Sequence, residues 1–180
     1  MKRAKLPLLS ITLASMALML LLAGCSKSTP KAPTLPQFNR GNTYGFGVLS
    51  MKTVKSVTYI DQDTTYVITP SEPNNVFLAT ELQVSNERAV KSLLDVKTTS
   101  VEMIDKNAKD YQAINPFGDN RKQISTAPTD SEPLSPFIWG QFELQQGYGV
   151  TGWVLFEVPK DTKAATVRGD EVDTISIDVG

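Results

Sequence analysis

Few side chains in this sequence have chemistry to offer, and they stand far apart. Cys25 is the only cysteine among 180 residues, placed directly behind Ala23 and Gly24 at the end of an apolar run. A lone thiol forms no intramolecular disulfide and no cysteine-rich metal site. Histidine is absent, which excludes Ser-His and Cys-His catalysis, imidazole-bound zinc and the usual near-neutral proton switch. That leaves carboxylates. Asp61 and Asp63, two apart, would share a strand face and begin a calcium site, but Ca²⁺ takes about six to eight oxygens and no Asp/Asn-Gly loop with a closing Glu follows. They read as a solvated turn. Asp170, Glu171 and Asp173 follow Gly169 and read as a charged hairpin. Carboxylate pairs can also hydrolyse glycosides without histidine, given a sugar cleft between them; no insertion that would build one is evident. Ser28 and Lys31 match the Ser-x-x-Lys spacing of some acyl-transferring serines, yet they fall in a Pro-bearing stretch that reads as a tether, and a nucleophile needs a packed shell to orient it. The three glycines of 41–47 precede no helix start, so they suit turns rather than a phosphate cradle. The expectation is a protein that is not an enzyme and needs no cofactor or metal.

The elements around Cys25 say more. Lys2, Arg3 and Lys5 form a positive flank, Leu6 to Leu22 an apolar run, and Ala23-Gly24 a small-residue step. These are the marks of an export signal. Leu22-Ala23-Gly24-Cys25 resembles the lipobox of bacterial lipoproteins, which implies diacylglycerol on the Cys25 thiol, cleavage before Cys25 and acyl chains such as palmitate on the new amine. Each buried methylene contributes about 0.8 kcal/mol and two chains anchor stably, so such a Cys25 would stay on the membrane. Ser26 after it, in place of Asp, resembles lipoproteins sent to an outer membrane. The implied location is therefore the cell membrane or outer membrane, lipid-anchored and extracytoplasmic.

Formal charge is −1, and removal of Lys2, Arg3 and Lys5 with residues 1–24 makes it −4. Without a basic cluster in the sequence, nucleic acid is not expected as a partner. Pro30, Pro33 and Pro36 among Ser, Thr, Lys and Gln make residues 25–40 a tether. Residues 41–180 are long enough for one domain with a proper core.

Strand signals fill that domain. Val76, Leu78, Leu82 and Val84 alternate with Phe77, Ala79, Glu81, Gln83 and Ser85, predicting one buried and one mostly polar face. Val154, Phe156 and Val158 alternate with Trp153, Leu155 and Glu157 before Pro159 stops the ladder. Trp153 and Leu155 make that strand apolar on both sides, which a central strand explains as well as a docking surface does. Ile175, Ile177 and Val179 repeat the device. Weaker strands are predicted at 48–59, 64–69, 98–104, 110–114 and 164–168, and a short helical turn at 87–96 with Val90, Leu93 and Leu94 on one side. Some seven or eight strands and little helix give an all-β fold, an immunoglobulin-like antiparallel sandwich. Phe117, Phe137 and Trp139, in or beside a Pro-rich stretch at 115–138, either form an exposed recognition patch or fold back to plug an end of the sandwich; plugging is the preferred reading.

Three blocks resemble a family, the immunoglobulin-like (telokin-like) domain of unknown function found in prokaryotic lipoproteins. They are the strand Val76–Val84 running into Ser85-Asn86, the segment Val101–Tyr111, and Leu144–Gly147 through Gly152-Trp153-Val154-Leu155-Phe156-Glu157-Val158-Pro159. The sequence departs from that family where Asn107-Ala108 replaces a usual turn glycine and Gln146-Gly147 replaces Pro-Gly. That family has no established catalytic residues, so the resemblance carries none over, and Cys25 of the lipobox is the one site residue; the first expectation is a noncatalytic interaction module. The expected partners are the membrane, through lipid on Cys25, and another envelope protein or surface polymer. The alternative is an extracytoplasmic small-ligand or metal-binding lipoprotein.

Overall fold

Two long strands organise the chain because each is apolar on both faces over part of its length. In the computed structural model, which describes residues 33–180, these are β5 (Asn75–Asn86) and β12 (Gly149–Pro159), paired antiparallel from Asn75↔Pro159 to Ser85↔Gly149. Around them lie β1 (Gln37–Arg40), β2 (Tyr44–Val54), β7 (Val101–Asp105), β8 (Asp110–Ile114), β13 (Ala164–Asp170) and β14 (Thr174–Asp178), in the order β1-β2-β5-β12-β8-β7-β13-β14. This large sheet curls until its edges meet, where the Asn39 side-chain amide donates to the Ser176 carbonyl at 3.2 Å. Near-closure leaves little free strand edge.

Inside the curl sits the main core. Val76, Leu78, Leu82 and Val84 of β5 meet Val154, Phe156 and Val158 of β12, with Phe46 and Val48 from β2, Met103 from β7 and Val167 from β13. A ribbon of β6 (Lys91–Val96) and β11 (Gly140–Gln145) adds Leu94, Val96 and Leu144 to it. A second sheet, in the order β10 (Glu132–Pro133), β3 (Val57–Asp61), β4 (Thr64–Ile68), β9 (Arg121–Gln123), packs on the outer face. Val57, Tyr59, Ile68 and Leu134 there bury Phe77 and Ala79 of β5 and Leu155 of β12. Among the described residues all strand pairings are antiparallel except the two-residue β10–β3 contact and an isolated parallel bridge between Phe137 and Trp153.

The antiparallel sandwich is thus as the sequence predicts, as is the two-faced burial of β12. Four local features differ. The supposedly polar face of β5 is covered at Phe77 and Ala79, both 0% exposed, because alternation shows periodicity but not which sheet lies opposite. Residues 87–96 make no helical turn: β6 turns Leu94 inward and leaves Val90 and Leu93 exposed. Gln37–Arg40, within the segment read as tether, pair with Val48–Gly45 as β1. Phe38 there covers Gly47 across the strands, where a Cβ would strike its ring. Finally, β2 and β3 divide the single run predicted at 48–59. Residues 1–24, Cys25, Ser28 and Lys31 lie outside the described residues.

Candidate interaction surfaces

The two ends of the curled sheet and the mouth of the second sheet hold the polar and aromatic residues worth weighing. At the mouth, β3 and β4 place Tyr59 and Tyr66 opposite each other, stacked at 5.7 Å. Phe117 and Phe137 fold back from the Pro-rich stretch and meet Tyr59 edge-on at 5.8 and 5.2 Å. The Tyr59 hydroxyl donates to the Pro116 carbonyl at 2.6 Å. Burial pushes that hydroxyl's pKa up, against the lowering effect of the nearby Arg121 guanidinium. Trp139 is half-buried against the main core. Plugging, rather than an open patch, is what these three aromatics do, with only Phe117 left 40% exposed.

Asp61 and Asp63 do not form a pair. Asp61 accepts from Arg121 Nη1 at 2.9 Å, and that guanidinium lies 4.3 Å from the Tyr66 ring. Gln62 and Asp63 take positive φ, 47° and 65°, in the β3–β4 hairpin turn. Two successive left-handed residues suit a tight hairpin, so the turn reading holds.

The cluster at 170–173 is tied to the backbone it borders. Asp173 Oδ2 accepts from the Tyr44 and Thr43 N–H groups, and these donors, Tyr44 foremost, hold its carboxyl below the usual range against partial burial. Asp170 accepts from the Thr174 hydroxyl, and Glu171 from the Ser100 hydroxyl. Beneath them Tyr44, Phe46, Leu94, Val101 and Ile175 line a cavity of ≈ 30 Å³, room for about one water. Among the described residues no group of three or more acidic residues is placed to hold a metal.

The other end holds what sequence reading missed. An open groove of ≈ 1160 Å³ lies between the β2–β3, β7–β8 and β12–β13 connections, with Lys55, Lys106, Lys109, Lys160 and Lys163 on its walls. Asp105 anchors the middle connection: its Oδ1 accepts from the Asn107 and Lys109 N–H groups at 2.8 and 2.9 Å. The Lys109 donor, opposed by burial and aided by Asn107, lowers its pKa. Lysines more than a hundred positions apart carry no spacing signal; only the topology brings them together.

The fold and these surfaces define a class, an all-β antiparallel sandwich. No family model matches the chain, and no curated protein matches it. Two solved structures are similar. One is a candidate lipoprotein from Bacillus subtilis, at 13% identity and a TM-score of 0.46, over 81% of this chain and 39% of that one. The other is an uncharacterized β-sandwich protein from Clostridium difficile, at 10% identity and a TM-score of 0.42, over 83% of this chain and 94% of that one. The chain thus spans about two fifths of the length of the first.

Proposed function

We propose that the protein is a lipid-anchored, noncatalytic contact module of the cell envelope, of the immunoglobulin-like type, held outside the cytosol by diacylglycerol on Cys25. Its contact face is the ribbon end of the sandwich, and its partner is another envelope protein. The observation that carries this reading is the placement of exposed apolar side chains. Val90 is 84% exposed, Tyr148 69% and Leu93 57%. Leu93 lies on β6, Val90 just before it, and Tyr148 in the following hairpin, whose Gln146 N–H donates to the Val90 carbonyl. Val172 adds a fourth from the β13–β14 hairpin. Apolar groups clustered on a surface mark protein contact, and loops at the end of a sandwich are where such contact is made. The anchor rests on the basic flank, the apolar run and Leu22-Ala23-Gly24-Cys25.

The test is site-specific photocrosslinking in intact cells. A crosslinking residue at Tyr148 should give one discrete protein adduct, and one at Lys122 on β9 should not. Identical adducts from both, or none from Tyr148, overturn the contact face. Intact mass should show the chain beginning at Cys25 with an acyl increment, absent from Cys25→Ala. An unmodified natural product overturns the anchor.

A further inference from the structure

The formal charge is negative, yet five lysines gather at one end of the sandwich. β2 runs from Tyr44, beneath the acidic cluster, to Val54 beside the lysine groove. At about 3.3 Å per residue, the two ends lie roughly 35 Å apart. At the groove end, five lysines face two aspartates. Asp105 is turned to its own backbone, as described above, and Asp161 is the other. Lys55 lies 3.8 Å from Asp130. Lys106, Lys109, Lys160 and Lys163 are all exposed and, among the described residues, form no ion pair. Four ammonium groups without an ion pair on neighbouring loop tips, one of them over the Tyr111 ring, outnumber Asp105 and Asp161 on the groove wall and give it a local excess of positive charge.

We infer that this lysine end is a membrane-contact surface, which rests on the anionic phosphate headgroups of the bilayer that holds Cys25. The inference depends on the lipid anchor of the proposed function and adds the orientation of the domain. Chain direction supplies the second observation. Gln37, the first residue of β1, pairs with Val48, and β1 runs antiparallel to β2. The N-terminal end of β1 therefore points toward the Val54–Lys55 end, the end that bears the lysines. Only residues 26–36 separate Cys25 from β1, a reach of at most about 40 Å when fully extended and roughly 20 Å for a flexible chain. An anchored domain on so short a lead is held close to the headgroups, so a weak attraction suffices to seat it. A soluble phosphodiester polymer offers the same charges. The bilayer is favoured because the N-terminal end of β1, the strand nearest Cys25 in sequence, points toward the lysine end. The acidic cluster and the exposed ribbon would then face away, toward a partner.

The test uses the chain from Ser26 to Gly180, which contains the whole compact unit of residues 32–180 and lacks Cys25. It is sedimented with vesicles of phosphatidylglycerol and phosphatidylcholine in equal parts, and with phosphatidylcholine alone. Each lysine near an anionic surface strengthens binding about fivefold, so the net two charges left once Asp105, Asp161 and the Lys55 partner Asp130 are counted predict a preference of about 25-fold for the anionic vesicles, lost in high salt. The pair Lys160→Glu and Lys163→Glu should remove that preference. The pair Lys97→Glu and Lys122→Glu, with the same total charge, should retain most of it. Equal partition onto both vesicle types, or equal weakening by the two pairs, overturns the inference. So does binding to soluble polyphosphate without binding to vesicles, which would assign the groove to a polymer. Because this chain has no Cys25, the outcome is independent of acylation. An acyl-free natural product removes the anchor alone, and unselective partition removes the lysine surface alone.

Discussion

Thr80 is the sharpest place to test the packing. It is 0% exposed in the centre of β5, between Leu78 and Leu82 on the face turned to the main core, with Met51 and Val154 as its cross-strand neighbours. Its hydroxyl has no hydrogen-bond partner. A buried hydroxyl without a partner costs about 1–3 kcal/mol, and valine has the same shape with a methyl in its place. Thr80→Val should therefore stabilise the domain by about 1–2 kcal/mol. For a domain of about 150 residues, each kcal/mol moves Tm by roughly 2–4 °C, so the expected rise is about 3–6 °C. Guanidinium unfolding gives the cleaner measurement: the midpoint should rise with an unchanged slope, since the surface exposed on unfolding is the same. Thr80→Ser serves as the opposite perturbation, keeping the hydroxyl and deleting the methyl, and should lose about 1 kcal/mol. A Thr80→Val protein no more stable than the parent would refute the reasoning and show that the hydroxyl is satisfied in solution.

Two further substitutions probe electrostatics and backbone. Burial raises the pKa of Glu157, but hydrogen bonds from Asn75, Ser71 and Glu72 outweigh it and hold the carboxyl below its usual range. A lowered folded-state pKa gives stability that is present above the unfolded value and lost as pH falls through the folded one. Glu157→Gln should be less stable than the parent at neutral pH, with a deficit that closes below about pH 4; a deficit constant from pH 7 to 3 in urea titrations would contradict this. Ala108 sits at φ 61° in the β7–β8 turn, where an L side chain is strained. Ala108→Gly should gain about 0.5–1 kcal/mol despite the added chain entropy, read as a higher unfolding midpoint; a lower one would show that the strain is negligible.

Legibility in the sequence followed the range of the interaction. β5, β12 and β14 are plain from alternation because their own residues decide which face is apolar. Whether the Phe77 face is wet depends on β3 and β4 lying across it, and no local pattern records that. β6 departs from its local pattern for a related reason: Val90, Leu93 and Leu94 fit a helical face, but pairing of Leu94 with Phe142 on β11 decides the matter. Asp61 closes β3 beside Arg121, and Asp170, Glu171 and Asp173 border the β13–β14 hairpin with hydrogen bonds to Thr174, Ser100 and the Thr43 and Tyr44 backbone, partners that their spacing does not record. The lysine groove could not be foreseen, being assembled from positions 55, 106, 109, 160 and 163 by the closing of the sheet. Ala108, by contrast, was flagged by its departure from a glycine-bearing turn, and its positive φ explains why that departure matters.

β5 and β12 each present one side to the main core and the other to the core beneath β3 and β4. They act as a party wall between two rooms. Neither room can open without stripping that wall of half its support, so the two should melt as a single cooperative block rather than one after the other. Amide hydrogens along Phe77–Leu82 and Val154–Phe156 would then be the last to exchange, and a flaw such as Phe77→Ala would be felt on both sides at once.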